Sequence, residues 1–182
     1  MMYVYVVLGI MVLWIVFAYN SFVRLINRAK EAWADIEVQL KRRYDLIPNL
    51  INAVKGYAVH ESSAFENVTK ARAAALGASG IAEKGQAENT LTGALKSIFA
   101  ISEAYPELKA NQNFLALQNE LSDTENKIQS ARRFYNGNVR DLNTSIESFP
   151  NSIIAGIFKF SKMGLFDIAD NDAAQNPVEV KF

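Results

Sequence analysis

The sequence predicts an all-α protein in which a transmembrane helix is followed by an antiparallel four-helix bundle. Three observations predict this fold class. Residues 1–23 contain no Asp, Glu, Lys, Arg or His. Beyond them, apolar residues recur in steps of three and four through long segments, which is the spacing of the buried stripe on an amphipathic helix. Alternation of apolar and polar residues never extends beyond a few positions, so we expect no β-sheet.

The uncharged run of residues 1–23 predicts a single membrane-spanning anchor. A helix rises about 1.5 Å per residue, so roughly 20 apolar residues cross a hydrocarbon core of about 30 Å. Trp14 and Tyr19 belong to a set of aromatic residues placed mostly towards the ends of the run, where such rings favour the membrane interface. Two alternatives stay open. Residues 16–18 form a weak signal-peptide cleavage site, and the run could also be the core helix of a soluble protein.

The basic residues that follow the anchor predict its orientation. No Lys or Arg precedes the run, whereas its carboxyl side carries Arg24, Arg28, Lys30, Lys41, Arg42 and Arg43. The positive-inside rule therefore places the N-terminus outside and the bundle in the cytoplasm. We expect the membrane to be the inner membrane of a bacterial cell. The alternative is a bundle on the exported side. The chain contains no Cys, which excludes disulfides and suits either compartment.

The predicted bundle covers residues 24–148. Its first helix begins near residue 24 and contains Pro48, whose nitrogen cannot donate a hydrogen bond to the Tyr44 carbonyl. The apolar spacing nevertheless continues across Pro48. We therefore expect a kinked helix that ends at Gly56, with a break at residues 45–48 as the alternative.

Three further helices complete the predicted bundle, at residues 63–76, 82–104 and 108–147. Ser63 and Glu66 have the spacing of a capping box at the start of the second helix. Residues 77–80 have the composition of a turn. Because the first and fourth helices are long and the loops are short, we expect antiparallel packing that returns the fourth helix to the membrane.

Two segments follow the bundle. Residues 149–166 are an apolar segment whose candidate contact residues are Ile153, Ile154, Ile157 and Phe158. One interpretation is a short helix that caps the bundle core, and the other is an interfacial helix at residues 152–163 that lies on the bilayer. Residues 167–182 are predicted to be an acidic, flexible tail.

The sequence predicts no catalytic, cofactor or metal site, and therefore no enzyme. His60 is the single histidine, and Ala64 stands where a zinc-binding His-Glu-x-x-His motif requires its second histidine. The glycines of residues 77–80 are not followed by the Lys-Ser/Thr of a phosphate-binding loop. A formal net charge of +0 without a clustered basic face argues against nucleic-acid binding. No small-molecule substrate is evident.

The densest group of charges lies at residues 41–43. One interpretation is a solvated helix face that pairs with nearby carboxylates. The other is contact with lipid headgroups or with an acidic partner. All six basic residues after the anchor, together with the four apolar residues named above, are our candidate membrane or partner contacts.

Several local motifs resemble those of the LemA family. The most specific is Lys-Arg-Arg-Tyr-Asp-Leu-Ile-Pro-Asn-Leu, and others lie at residues 19–21, 32–36, 54–58, 132–136 and 139–143. Tyr44 departs from the family pattern, in which His is more common. The resemblance covers nearly all of residues 3–160. It implies a membrane-anchored helical domain without an established enzymatic activity. It also implies a structural joint, which we assign to Asp45, Pro48, Asn49, Gly56 and Arg133.

These observations lead to an expected function. We expect an interaction or assembly scaffold at the membrane, with coiled-coil-like packing of helices. The expected partners are the lipid bilayer and either further copies of the chain or another membrane protein. The alternative is a membrane-shaping oligomer that uses the anchor plus an interfacial helix at residues 152–163.

Overall fold

The computed structural model describes residues 1–58 and 60–167, and within them the chain is all-helical without strands. The helices are α1 (Met2–Lys55), α2 (Ser62–Gly77), α3 (Ile81–Glu103), α4 (Pro106–Lys109), α5 (Gln112–Glu147) and α6 (Asn151–Ile157). The predicted fold class is confirmed as all-α with a long apolar N-terminal helix. The predicted flexible tail lies outside the described residues, apart from Asp167.

The predicted anchor and the first predicted bundle helix form one continuous helix, α1, of 54 residues. A helix of that length extends about 80 Å. α1 passes through Pro48 without ending, so the alternative of a break at residues 45–48 is wrong. It ends at Lys55, directly before Gly56, as the sequence predicts for this position. The backbone N–H groups of Tyr57 and Ala58 donate to the carbonyl of Val54 at 3.0 and 2.9 Å. The predicted apolar stripe is buried at positions from Phe22 to Val54.

The long helices α1 and α5 pack side by side in opposite directions. The rings of Trp33 and Tyr135 lie 5.4 Å apart, and further along α1 the Arg42 Nη2 atom lies 2.9 Å from Glu120 Oε1, which is earlier in α5. α2 and α3 pack on each other and on the same apolar core. These contacts establish the antiparallel α1–α5 pair, whereas the four-helix bundle stays a prediction.

The capping box predicted at the start of α2 is wrong. α2 begins at Ser62 with Glu61 at the N-cap position, and no side chain caps it. Ser63 is therefore already inside the helix. The Glu66 carboxylate points outward instead and lies 2.6 Å from the Lys70 ammonium, one helical turn later.

The last long helix begins later than the predicted residue 108. The short helix α4 comes first, and α5 then starts at an N-cap that the sequence analysis missed. The side chain of Asn111 accepts hydrogen bonds from the backbone N–H groups of Asn113 and Phe114, at 2.9 and 3.1 Å. An N-cap asparagine satisfies N–H groups that have no partner within the helix, which fixes this boundary. Of the predicted turn at residues 77–80, Gly77 is the last residue of α2, residues 78–80 connect α2 to α3, and Gly80 has φ 85°.

After α6 the chain forms an extended strap, residues 160–167, along the α1–α5 pair. The side-chain amide of Asn143 accepts from the Met163 N–H at 3.0 Å and donates to the Met163 carbonyl at 2.9 Å. Asn136 binds both backbone groups of Phe166 in the same way, at 2.9 and 3.0 Å. The Phe166 ring is fully buried, 5.1 Å from Trp33. The strap thereby connects the α6 end of the molecule to the core.

Candidate functional site

The N-terminal part of α1 exposes its apolar side chains. Among the described residues, α1 is the one helix long and apolar enough to cross a membrane, and its most apolar window of 18 residues has a mean hydropathy of 2.3. Only 6% of that window is buried within the molecule. A core helix of a soluble protein would be mostly buried, so this surface argues against that alternative and fits a single-pass anchor.

α6 packs against the end of this exposed region rather than at a distance from it. A small core unites Ala18 and Phe22 of α1 with Leu142 of α5 and with Ile154 and Ala155 of α6. Aromatic rings line one edge of this core. The ring centroids of Tyr19 and Phe158 lie 4.9 Å apart, and so do those of Phe22 and Phe160. The carboxyl end of α5 thus returns to the anchor, as predicted.

The four apolar candidates in residues 149–166 divide between two faces of α6. Ile154 is 1% exposed and belongs to the small core. Ile153, Ile157 and Phe158 are 50, 66 and 46% exposed, respectively. α6 therefore covers the end of the α1–α5 pair with one face, as the capping interpretation expects, and presents an apolar face outward. We call Ile153 and Ile157 of the helix, together with the exposed part of Phe158 directly after it, the outer face of α6.

Five of the six basic candidates reach the surface. Arg24, Arg28, Lys30 and Lys41 are exposed, and Arg42 is partly exposed. Arg42 pairs with the carboxylate of Glu120 on α5. This agrees with the interpretation in which the basic residues form a solvated helix face that pairs with carboxylates. The membrane or partner contacts of these five residues stay predictions.

Arg43, by contrast, does not lie where a lipid headgroup can reach it. It is 3% exposed, and its Nη1 atom lies 3.3 Å from Glu88 Oε2 of α3 and 3.2 Å from Glu125 Oε2 of α5. Its Nη2 atom donates to the hydroxyl of Thr92 at 2.7 Å. The surface assignment of Arg43 is therefore corrected.

The spacing of α1 explains why Arg43 points inward. Residue 43 lies three residues after Leu40 and four before Ile47, both of which are buried, so it falls on the apolar stripe. Glu88 occupies the equivalent place on α3, three residues before the buried Leu91. Neither residue looks like a core position by composition. Their helical phase is the signal by which sequence reasoning could have found them.

Tyr44 completes this group, which we call the buried polar cluster: Arg43, Tyr44, Glu88, Thr92 and Glu125. The Tyr44 hydroxyl donates to Glu88, whose side chain is 0% exposed. Burial raises the pKa of Glu88, because the charged carboxylate is more costly than the neutral acid inside the protein, and Tyr44, Arg43 and Lys84 oppose that shift. Burial also raises the pKa of Tyr44. The cluster holds α1, α3 and α5 together through charge and hydrogen bonds.

The proposed joint has one clear contact. Because Pro48 has no N–H, the Tyr44 carbonyl lacks its helical donor. The Arg72 Nε of α2 donates to that carbonyl at 2.7 Å. Asp45, Asn49 and Gly56 are exposed near this part of α1, whereas Arg133 lies on α5 and its guanidinium contacts Ser130 of the same helix at 3.3 Å. Arg72, which sequence reasoning did not assign to the joint, supplies the missing donor.

Comparison with known proteins finds a family and several relatives. The family model described as LemA family matches residues 32–182. The magnetosome protein MamQ of Magnetospirillum gryphiswaldense is 26% identical over 88% of this chain and 68% of its own length. Protein LemA of Metamycoplasma hominis is 26% identical over 86% of this chain and 69% of its own length. Magnetosome protein MamQ 2 of Paramagnetospirillum magneticum is 22% identical over 88% of this chain and 68% of its own length.

Proposed function

The chain belongs to the LemA family, and from this membership and its exposed apolar helix we propose a single-pass membrane protein whose helical domain is an interaction and assembly module. The observation that carries the proposal is the continuity of α1, which extends from the apolar anchor into the core without interruption. Because α1 is continuous, there is no hinge between the bilayer and the domain. The domain is therefore held at a fixed distance and direction from the membrane, as a scaffold requires.

The packing of α6 supports retention of the anchor over cleavage as a signal peptide. Cleavage after Ala18 would remove that residue, which is 7% exposed, from the small core with Phe22 and Ile154. Trp14 and Ile15 pack against the same core and would also be lost. Signal peptides are discarded before the mature fold is complete, so their residues are not expected to form part of its core.

The proposed role is non-catalytic. The relatives are named as LemA and magnetosome proteins, and neither name refers to a reaction. The buried polar cluster is enclosed between helices, where its members bind one another. Its charges therefore serve to position helices.

We place the anchor in the inner membrane of a bacterium with the N-terminus outside and the helical domain in the cytoplasm. The basic residues Arg24, Arg28 and Lys30, exposed directly after the anchor, support this orientation. The proposed partners are further copies of the chain or another membrane protein.

Two measurements test the proposal together. Topology reporters fused after Ala104 and after Phe182 report the compartment of the domain, and both are expected to give cytoplasmic signals. Crosslinking in native membranes is expected to trap a dimer, a larger oligomer or a complex with another protein. Recovery of monomer alone, with no bound protein, would contradict the assembly role.

A second candidate function is membrane shaping by many copies of the chain. The outward apolar face of α6, beside the anchor, favours it because a shallow apolar insertion widens one leaflet. The test is to reconstitute the full-length protein into liposomes at increasing density and image them. Tubules or small vesicles are expected, and unchanged spherical liposomes at high density would exclude this candidate.

A further inference from the structure

The outer face of α6 is apolar and lies beside the membrane anchor. Ile157 is 66% exposed and Ile153 is 50% exposed, while Ile154 and Ala155 on the opposite face are buried at 1 and 3%. Phe149, just before α6, is 82% exposed. In contact with water these side chains would form an apolar patch of the kind that marks an interaction site.

The position along α1 at which α6 packs indicates that the lipid bilayer covers this patch. Arg24 is the first charged residue after the apolar run, and a cation at that position stays at the headgroup level. Ala18, which shares the small core with α6, lies six residues earlier, or about 9 Å closer to the middle of the bilayer for an upright helix. Interfacial helices bury their apolar face about 5–10 Å into the boundary between headgroups and acyl chains. α6 is therefore held at the depth where such helices lie.

The residues around α6 have the chemistry of this boundary. Tyr19 packs on Phe158 and Phe160, with ring centroids 4.9 and 5.6 Å apart, and aromatic residues are enriched at the membrane interface. Lys159 lies between the two phenylalanines and is exposed. The Lys159 side chain is long enough for its ammonium group to reach from this depth to the phosphates of the lipid headgroups, where it gains most from anionic lipids.

From this geometry we infer that α6 is a second membrane contact of the protein: its outer face inserts among the acyl chains of one leaflet, and Lys159 binds the phosphate of an anionic phospholipid. The inference rests on the proposed function, because it requires α1 to span the bilayer. It adds that the helical domain touches the membrane at two places. Two contacts fix the rotation of the domain about the axis of α1, which one helix cannot do.

Depth-dependent quenching tests this inference, since the chain has no native cysteine. Full-length variants with Ile157→Cys, Leu8→Cys or Val38→Cys are labelled with a fluorophore and reconstituted into phosphatidylcholine vesicles, with and without phosphatidylglycerol. The vesicles carry a nitroxide quencher at a shallow acyl position. Leu8 lies in the anchor. Val38 is the matched control, because it is apolar and 62% exposed but lies 14 residues beyond Arg24 on the same helix.

We expect the probe at residue 157 to lose at least half of its fluorescence, as the probe at residue 8 does, while the probe at residue 38 keeps nearly all of it. Lys159→Glu in the Ile157→Cys protein is expected to weaken the quenching in vesicles with phosphatidylglycerol and to leave it unchanged in phosphatidylcholine alone. Lys159 has φ 57°, and a glutamate there experiences the same backbone constraint, so the comparison isolates charge.

The outcomes separate the inference from the proposed function. Quenching at residue 8 without quenching at residue 157 would overturn the inference and leave the anchor intact. In the unlabelled Ile157→Cys protein, a disulfide between two copies, together with no quenching of the labelled protein, would overturn it in favour of a protein contact. If residue 8 itself is not quenched, the anchor and the inference both fail.

Discussion

The guanidinium of Arg72 donates a hydrogen bond of 2.7 Å to the backbone carbonyl of Tyr44, which belongs to another helix. That carbonyl is the one that Pro48 leaves without a donor four residues later. A proline inside a helix normally weakens it, and here a neighbouring helix supplies the lost hydrogen bond. The contact explains how α1 continues past Pro48 and ties α2 to the same point.

This pairing predicts an energetic coupling between residues 48 and 72. Arg72→Met is expected to lower the free energy of unfolding by about 1–2 kcal/mol, because a carbonyl is left unsatisfied. In a Pro48→Ala background the helix provides its own N–H, so the same change is expected to cost less than half as much. The measurement is a double-mutant cycle by urea unfolding in detergent micelles. Arg133→Met, which removes an exposed arginine of α5, is the control and should be near neutral. Equal costs in both backgrounds would contradict the pairing.

The neighbouring arginines 42 and 43 are expected to differ strongly. Arg43→Ala leaves the buried Glu88 without its cation, and loss of one partner of a buried ion pair costs about 3–5 kcal/mol. Arg42→Ala breaks an exposed pair with Glu120, which is worth about 0–1 kcal/mol. Thermal unfolding of the two full-length variants measures the difference. Similar losses for both would show that Arg43 is not buried in an ion pair.

The raised pKa of Glu88 predicts a pH dependence of stability. In the unfolded chain this carboxyl titrates near its ordinary value of 4.5, and burial keeps it protonated to higher pH in the folded protein. The folded state therefore binds more protons than the unfolded state just above pH 4.5, and this contribution to stability is lost as the pH rises through the folded pKa. Arg43, Tyr44, Lys84 and Glu125 are the charged or titratable groups that act on Glu88.

Comparison with Glu88→Gln isolates that contribution, because the amide does not titrate. The melting temperature of the wild type is expected to fall relative to that of the variant as the pH rises from 4 towards 8. If the melting temperature of the wild type instead rises relative to that of Glu88→Gln over this range, the ion pair with Arg43 outweighs burial, and the pKa of Glu88 is lowered.

The strap predicts opposite effects of alanine at two glycines of α3. A Cβ at Gly85 would lie 2.5 Å from the Asp167 carbonyl oxygen, whereas one at Gly93 would meet nothing within 4 Å. Gly85→Ala is expected to cost about 1–3 kcal/mol by displacing the strap, and Gly93→Ala to stabilise α3 by about 0.5–1 kcal/mol.

The fluorescence of Trp33 reports whether the strap is in place, because the Trp33 ring packs on Phe166. In a Trp14→Phe background Trp33 is the remaining tryptophan of the two in the chain. Its emission is expected to shift to the red in Gly85→Ala and to stay unchanged in Gly93→Ala. An unshifted spectrum in both would show that the strap does not need the space beside Gly85.

Much of the fold could be predicted because it depends on local periodicity. The apolar steps from Phe22 to Val54 identify α1 and its buried face, and the missing charges before Arg24 identify the anchor. Gly56 marks the end of α1, because glycine commonly follows the last residue of a helix. Each of these features is determined by residues within one or two helical turns of one another.

The remainder depends on contacts between residues far apart in the chain. Arg43 lies in a basic run that is typical of a solvated surface, and its partner Glu88 is 45 residues away. The strap has no helical or alternating pattern, since its backbone is bound by the side chains of Asn136 and Asn143. Local patterns do not report which distant side chain satisfies a buried charge or a free backbone group.

The most direct test of the account is the identity and location of the mature chain. Cell membranes are washed at alkaline pH, and the N-terminus of the retained protein is determined by mass spectrometry of its first peptides. We predict that the chain remains in the membrane pellet and that residues 1–18 are still attached. A protein in the soluble fraction that begins near Tyr19 would contradict the anchor, and with it the proposed function and the second membrane contact.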